Sequence, residues 1–145
     1  MNHFFIFLLG WTVGGPFSPF DAAPEEALLF LNIRTEDTIT SPLVVVAYSN
    51  ADDFLTERGT VLKTTRAQDS SLSFEIEGLA SGTYALVVFE DLNKNGILDQ
   101  NKLGIPQEPF GFSKAKLGLF GPPSFRKASF NFPEESEVEV VLKAF

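Results

Sequence analysis

Nine residues of the chain, DLNKNGILD, place oxygen-bearing side chains at alternate positions and a glycine where the backbone would have to turn sharply. Calcium is a hard cation that takes about six to eight oxygen ligands from carboxylates, amides, main-chain carbonyls and water. The spacing matches the first half of the D-x-[DN]-x-[DN]-G calcium-loop pattern. It therefore predicts a metal site. The candidate ligands are the side chains of Asp91, Asn93, Asn95 and Asp99 and the main-chain carbonyl of Ile97.

The second half of that pattern fails, because Lys102 stands where a bidentate glutamate normally completes the site. Glu108 is the carboxylate that we expect to fold in as the missing ligand. The low charge of the loop predicts micromolar to millimolar calcium affinity, the range of extracellular modules. Two alternatives stay open. One is magnesium, and the other is a metal-free turn, since Asn and Asp favour turns and Asn-Gly is a strong hairpin signal.

Composition limits the other kinds of chemistry. The 145 residues carry a formal charge of −8, which argues against a nucleic-acid partner, because phosphate binding needs clustered Lys and Arg. There is no cysteine, so disulfides, thiolate metal sites and cysteine nucleophiles are excluded. The length fits one domain with a substantial core. Sixteen phenylalanines must largely pack inside the protein or line a groove.

The amino-terminal segment predicts export. Residues 4–13 form an apolar run that is shorter than the about 20 residues of a membrane-spanning helix. We interpret residues 1–23 as a signal peptide cleaved near Ala22 or Ala23, which predicts a secreted or periplasmic protein with no stable membrane span. The alternatives are an uncleaved anchor and a buried first strand. Cleavage would remove His3, the only histidine.

The elements that must position the loop are strands. Alternating or continuously apolar segments predict about seven of them, and hence an all-β fold, a single Greek-key β-sandwich over residues 24–145. Residues 82–89 are apolar on both faces and predict a central strand, while residues 50–59 could form a short helix. The predicted strands are residues 27–34, 42–48, 60–66, 71–79, 82–89, 125–132 and 137–143.

Residues 92–124 interrupt this rhythm with glycine, proline and phenylalanine in place of strand-like alternation. Such long connections are usually functional or disordered, and this one is too aromatic to be a disordered linker. Two interpretations are open: the phenylalanines cap one end of the sandwich, or the connection builds a ligand groove. The candidate ligand surface consists of Phe110, Gly111, Phe112, Ser113, Phe120 and Phe125.

The segment GTYALVVFEDLNKNGILDQNKLGIPQEPFGFS, followed by FGPPSFRKASFNF, resembles an exported bacterial family called domain of unknown function 2141. The resemblance implies a secreted or periplasmic β-sandwich, similar to transthyretin-like and collagen-adhesin B-type domains. It implies no reaction, because the family has none assigned. It also places Glu108 in a G-I-P-x-E-P motif, which favours a role for this carboxylate in completing the metal site.

Catalysis has few available groups. Without cysteine, and without histidine after export, the usual triads and histidine metal sites are absent. A carboxylate pair, Glu90 or Asp91 with Glu108, and the Ser113–Lys114 pair remain formal options. We therefore expect a non-catalytic exported module with a calcium loop, whose aromatic connection binds a protein, glycan or small ligand. The alternatives are a purely structural cell-envelope domain and a carboxylate-based hydrolase.

Overall fold

The computed structural model describes residues 27–66, 69–116, 118 and 121–144. The predicted signal peptide lies outside these residues. The described part contains eight strands and one short helix. In chain order they are β1 (Leu29–Thr35), β2 (Pro42–Tyr48), β3 (Thr60–Arg66), β4 (Ser71–Ile76), β5 (Gly82–Glu90), β6 (Phe110–Phe112), α1 (Phe125–Ala128), β7 (Ser129–Phe132) and β8 (Glu137–Leu142).

The strands form two sheets. The smaller sheet has the order β4-β1-β8, and the larger has the order β3-β2-β5-β6, with β7 also paired to β5. All pairs are antiparallel except β1 with β8. The edge of β5 is shared, since β7 pairs with its first half and β6 with its second half. The predicted all-β sandwich is confirmed.

The main core lies between the sheets, because the strands bury alternate residues. Leu29, Leu31 and Ile33 of β1 are at most 1% exposed, and the intervening side chains point outward. The same alternation in β8 buries Val138 and Val140, as its sequence predicts. Burying each such side chain contributes about 1.5–3 kcal/mol. The other members of this core are Ile39, Leu43, Val45, Ala47, Ile76, Leu86, Val88, Phe130, Phe132 and Leu142.

A second core covers the opposite face of the larger sheet. Val87 and Phe89 of β5 point away from the main core but are only 3% and 2% exposed. Phe54, Leu98 and Phe125, which lie on connections outside the sheet, pack over them. The prediction that β5 is apolar on both faces because it is central is confirmed, and the connections supply the cover. The buried members of this second core are Val44, Tyr48, Ala85, Val87, Phe89, Phe110, Phe112 and Ala128.

Strand β6 joins the two sheets. It pairs with β5, and Phe110 also exchanges two main-chain hydrogen bonds of 3.0 and 2.9 Å with Lys143, just after β8. A Cβ atom on Gly111 would lie 2.8 Å from Val140 Cγ1 and closer still to the main-chain oxygen of Val141. Glycine is therefore required where β6 crosses β8. The sequence did not predict this strand, because three residues are too few to show a period.

Two local predictions were wrong. Residues 50–59 form turns and not a helix: Asn50 Oδ1 accepts the N–H of Asp53 at 2.9 Å, as a helix cap would, but Leu55 has a φ of 63° and ends the winding. The first half of predicted strand 125–132 is instead α1, which buries Ala128 in the second core. Within the described ranges, no helix has the length and apolarity to cross a membrane.

Candidate functional site

The candidate metal loop, residues 91–99, begins where β5 ends. Asp91 is 4% exposed and its N–H donates to the carbonyl of Pro42 at 2.8 Å, which ties the start of the loop to β2. Its Oδ1 accepts the N–H of Asn95 at 3.0 Å, and its Oδ2 accepts that of Gly96 at 2.8 Å. Gly96 has a φ of 77°, a conformation that glycine adopts without strain. The carboxylate at the first position therefore folds the loop around itself.

Three further side chains converge inside this loop. Asp99 Oδ2 accepts hydrogen bonds from the side-chain amides of Asn93 at 2.6 Å and Asn95 at 2.9 Å. Asn93 Oδ1 accepts the N–H of Asn95 at 3.2 Å, and Asn95 Oδ1 accepts that of Ile97 at 2.8 Å. The structure thus brings together the four side chains that the alternate spacing singled out. The side chain of Ile97 itself is 57% exposed.

Glu108 closes the loop from outside. This carboxylate is only 3% exposed, and its Oε1 accepts the N–H of Leu92 at 2.8 Å while its Oε2 accepts that of Asp99 at 3.2 Å. The next contact reinforces this closure, since the N–H of Gln107 donates to the carbonyl of Asp99 at 2.8 Å. Glu108 therefore lies beside the predicted ligands and holds both ends of the loop through main-chain amides.

The loop carries oxygen donors of the type that hard cations take, and here they bond to side-chain amides and main-chain N–H groups. Within the described residues, no three His, Cys, Asp or Glu side chains form a group that could hold a metal ion. An ion in this loop would therefore depend on Asp91, Asp99, the two asparagine oxygens and main-chain carbonyls, a set that suits calcium or magnesium better than transition metals. The side-chain amides of Asn93 and Asn95 point their nitrogens at Asp99. To bind an ion, they would have to turn their oxygens toward it instead.

The groups considered for catalysis hold the main chain in place. Glu90 is 6% exposed, and its Oε1 accepts the N–H groups of Thr40 at 2.7 Å and Ser41 at 2.8 Å. Ser113 is fully buried; its hydroxyl donates to the carbonyl of Ala128 at 2.6 Å and accepts the N–H of Leu86 at 2.8 Å. These contacts are structural, and the Ser113 hydroxyl has no access to a substrate.

The structure buries most of the residues that were predicted to form an aromatic ligand surface. Phe110 and Phe112 are 4% and 3% exposed, and their rings pack edge to face at 5.5 Å inside the second core. Gly111 and Ser113 are buried beside them. Phe125 is half-buried with its ring 5.8 Å from that of Phe54, while Phe120 lies outside the described residues. The physical reason is that the outer face of the larger sheet is apolar and needs these rings as cover.

The sequence interpretation missed a group of lysines after β6. Lys114, Lys116 and Lys127 line one cleft of about 500 Å³. Lys114 also forms an ion pair with Glu135, and its hydrogen bond lowers the pKa of that carboxyl, with the main-chain N–H of Asn131 as a second cause. The alternation of Lys114 and Lys116 was a local signal, but the approach of Lys127 depends on the fold.

Two packed sheets, a second core and one Asx-rich loop define a small all-β sandwich domain. The family model described as "Uncharacterized protein conserved in bacteria (DUF2141)" matches residues 32–140, and the chain belongs to this family. The resemblance drawn from the motifs is therefore confirmed. Comparison with curated proteins and with solved structures gave no match.

Proposed function

We propose that the protein is an exported, non-catalytic β-sandwich module whose loop at residues 91–99 binds calcium and thereby stabilises the connection between β5 and β6. The export part of this proposal is supported by the apolar run at residues 4–13 and by the family resemblance. A purely structural cell-envelope domain is the alternative, in which the loop is only a well-bonded turn.

The observation that carries the calcium proposal is the convergence of Asn93, Asn95 and Asp99 above the carboxylate of Asp91. The two amide nitrogens lie within 2.9 Å of a single oxygen, Asp99 Oδ2. Rotation of each amide about its last side-chain bond exchanges its nitrogen for its oxygen and gives up the hydrogen bonds that these oxygens accept from the N–H groups of Asn95 and Ile97. The same framework could then present two amide and two carboxylate groups to one cation, a ligand type that calcium accepts.

Glu108 supports the proposal through a different effect. Because its two oxygens hold the N–H groups of Leu92 and Asp99, the loop keeps one shape before any ion arrives. Preorganisation reduces the entropy that binding would otherwise cost. The weak point of the sequence pattern, Lys102 in place of a bidentate glutamate, is then offset in part by a rigid loop.

The non-catalytic part rests on the buried carboxylates. Glu90 and Glu108 each accept two main-chain N–H groups, and both are less than a tenth exposed. A glycosidase-like pair needs two carboxylates that flank a substrate in a cleft. Carboxylates that fold the main chain suit a structural or binding role better.

The test is a thermal melt of the full-length chain in EDTA, in millimolar calcium and in magnesium. Saturation at about 100 times the dissociation constant should stabilise the fold by about 2.7 kcal/mol, which raises the melting temperature by several degrees. Asp99→Asn keeps the shape of the side chain and should weaken calcium binding at least tenfold. The matched control is Asp37→Asn, at an exposed aspartate in the bend after β1 and outside the loop. It should leave the calcium-induced shift in melting temperature unchanged.

A calcium-specific shift that Asp99→Asn removes and Asp37→Asn keeps would support the site. Equal shifts of the melting temperature in magnesium and in calcium would show that the loop binds both ions without preference. The absence of any shift in the wild-type chain would reject the metal site and leave the structural alternative.

A further inference from the structure

A second candidate site lies on the other half of the connection, after β6. It is a cleft of about 500 Å³, which falls in the range of about 300–1,000 Å³ for small-molecule sites. None of the described residues that line it is acidic, although the chain has a formal charge of −8. We call it the lysine cleft. Its lining residues are Lys114, Ala115, Lys116, Gly118, Gly121, Pro122, Pro123 and Lys127.

The fold holds the lysines of this cleft on a buried anchor. Ser113, fully buried, bonds through its hydroxyl to the carbonyl of Ala128 and to the N–H of Leu86 in β5. Lys114 directly follows Ser113 in the chain, and Lys127 directly precedes Ala128. Both lysines therefore reach the cleft from a main chain that the Ser113 hydroxyl holds in place. The same hydroxyl joins the two lysine-bearing segments to each other and to the larger sheet.

Lys114 also has an unusual backbone conformation. Its φ is 56°, in the left-handed region that costs a non-glycine residue free energy. Strained residues of this kind concentrate where function requires a side chain in one direction. Here the left-handed conformation turns the chain immediately after Ser113, at a residue that lines the cleft.

The cleft has more positive charge than its surroundings neutralise. Lys114 pairs with Glu135, but their side chains are 43% and 41% exposed, so the pair is weak and easily exchanged. Lys116 and Lys127 are exposed and form no ion pair with any residue that the structure describes. Lysines that line one cleft give it a positive potential, which favours an anion there.

We propose that the lysine cleft binds a small anion carrying two or more phosphate or carboxylate groups. Lysine is a compact point charge with three rotatable donors, so it accepts both kinds of oxygen. Pro122 and Pro123 form a rigid apolar wall on which the uncharged part of the ligand can pack. The proposal does not depend on calcium, because the cleft and the loop at residues 91–99 share no residue.

The test is isothermal titration calorimetry on the full-length chain in EDTA, with inorganic pyrophosphate as the phosphate probe and tricarballylate as the carboxylate probe. We expect saturable binding of one anion per chain, weakened when sodium chloride is raised from 50 to 200 mM, since charge attraction is screened. The double variant Lys116→Gln/Lys127→Gln should lose at least tenfold in affinity. Both residues are exposed, so the melting temperature should not change.

The matched control is Lys102→Gln/Lys143→Gln, which removes the same charge from exposed lysines outside the cleft. It should bind within about twofold of the wild-type chain, because neither lysine lines the cleft. Binding of only one probe would assign the ligand class. Equal losses in the two double variants would show a diffuse charge effect and overturn the site, as would the absence of saturable binding of both probes at 10 mM.

Discussion

Replacing Ser113 with alanine should destabilise the protein far more than the removal of one hydroxyl from a surface loop. The change deletes a fully buried oxygen that accepts the N–H of Leu86 at 2.8 Å and donates to the carbonyl of Ala128 at 2.6 Å. Both main-chain groups then stay buried without this partner. An unsatisfied buried group costs about 1–3 kcal/mol, so the two together should cost at least about 2 kcal/mol.

Urea unfolding of the full-length chain, followed by far-ultraviolet circular dichroism, measures this loss as a lower midpoint at an unchanged slope. The matched control is Ser71→Ala on β4. That side chain is exposed and its hydroxyl bonds to no residue that the structure describes, so its effect should stay within about 0.5 kcal/mol. If Ser113→Ala loses no more stability than Ser71→Ala, the segment that carries Phe112 and Ser113 is not buried against the second core, and the prediction is wrong.

Two further predictions concern charged groups. Glu108→Gln replaces one of the two acceptor oxygens of this side chain with an amide group. It should lower the free energy of unfolding in EDTA by about 1–3 kcal/mol. A urea midpoint equal to that of the wild-type chain would contradict the role of this carboxylate in closing the loop. Lys114→Gln should raise the pKa of Glu135 toward its ordinary value, measured by a nuclear magnetic resonance titration of the carboxyl carbon, and an unmoved titration would contradict the pair. Because the pKa of Glu135 is lowered in the folded chain, this carboxyl stabilises the fold above its unfolded pKa, and the contribution disappears as pH falls through its folded pKa. The Lys114→Gln variant should therefore lose less stability on acidification than the wild-type chain.

Much of the sandwich was predictable because its information is local. Strand β8 alternates Val138, Val140 and Leu142 with polar residues, and this period alone assigns the strand and its buried face. Strand β5 is apolar on both faces, which correctly placed it at the centre of a sheet. What this pattern could not reveal is the identity of the cover, since Phe54 and Phe125 reach the same face from distant parts of the chain.

The candidate sites differ in how far the sequence could predict them, because only some of their contacts are local in the chain. The spacing of Asp91, Asn93 and Asn95 is fixed within a few residues, so the sequence could show that these groups meet. For the phenylalanines of the glycine- and proline-rich connection, the sequence left both a cap on the sandwich and a ligand groove open, because no period identified the sheet face they cover. The lysine cleft is lined by both Lys114 and Lys127, whose segments are joined through the Ser113 hydroxyl, a contact with no sequence signature.

The connection between β5 and β6 is best understood as a closed unit. The N–H of Glu90 donates to the carbonyl of Pro109 at 2.9 Å, so the chain returns to β5 next to the point where it left. Glu108 accepts the N–H groups of Leu92 and Asp99 beside the same point. An ion at residues 91–99 would therefore bind this closed unit and through it stabilise the folded chain. The segment after β6 is different, because Ser113 fastens it directly to β5 and α1. Sites that share no partners contribute nearly additively to stability. Occupation of the calcium loop and occupation of the lysine cleft should then be independent, which is the behaviour of a scaffold that presents two separate loops and not of a single composite active site.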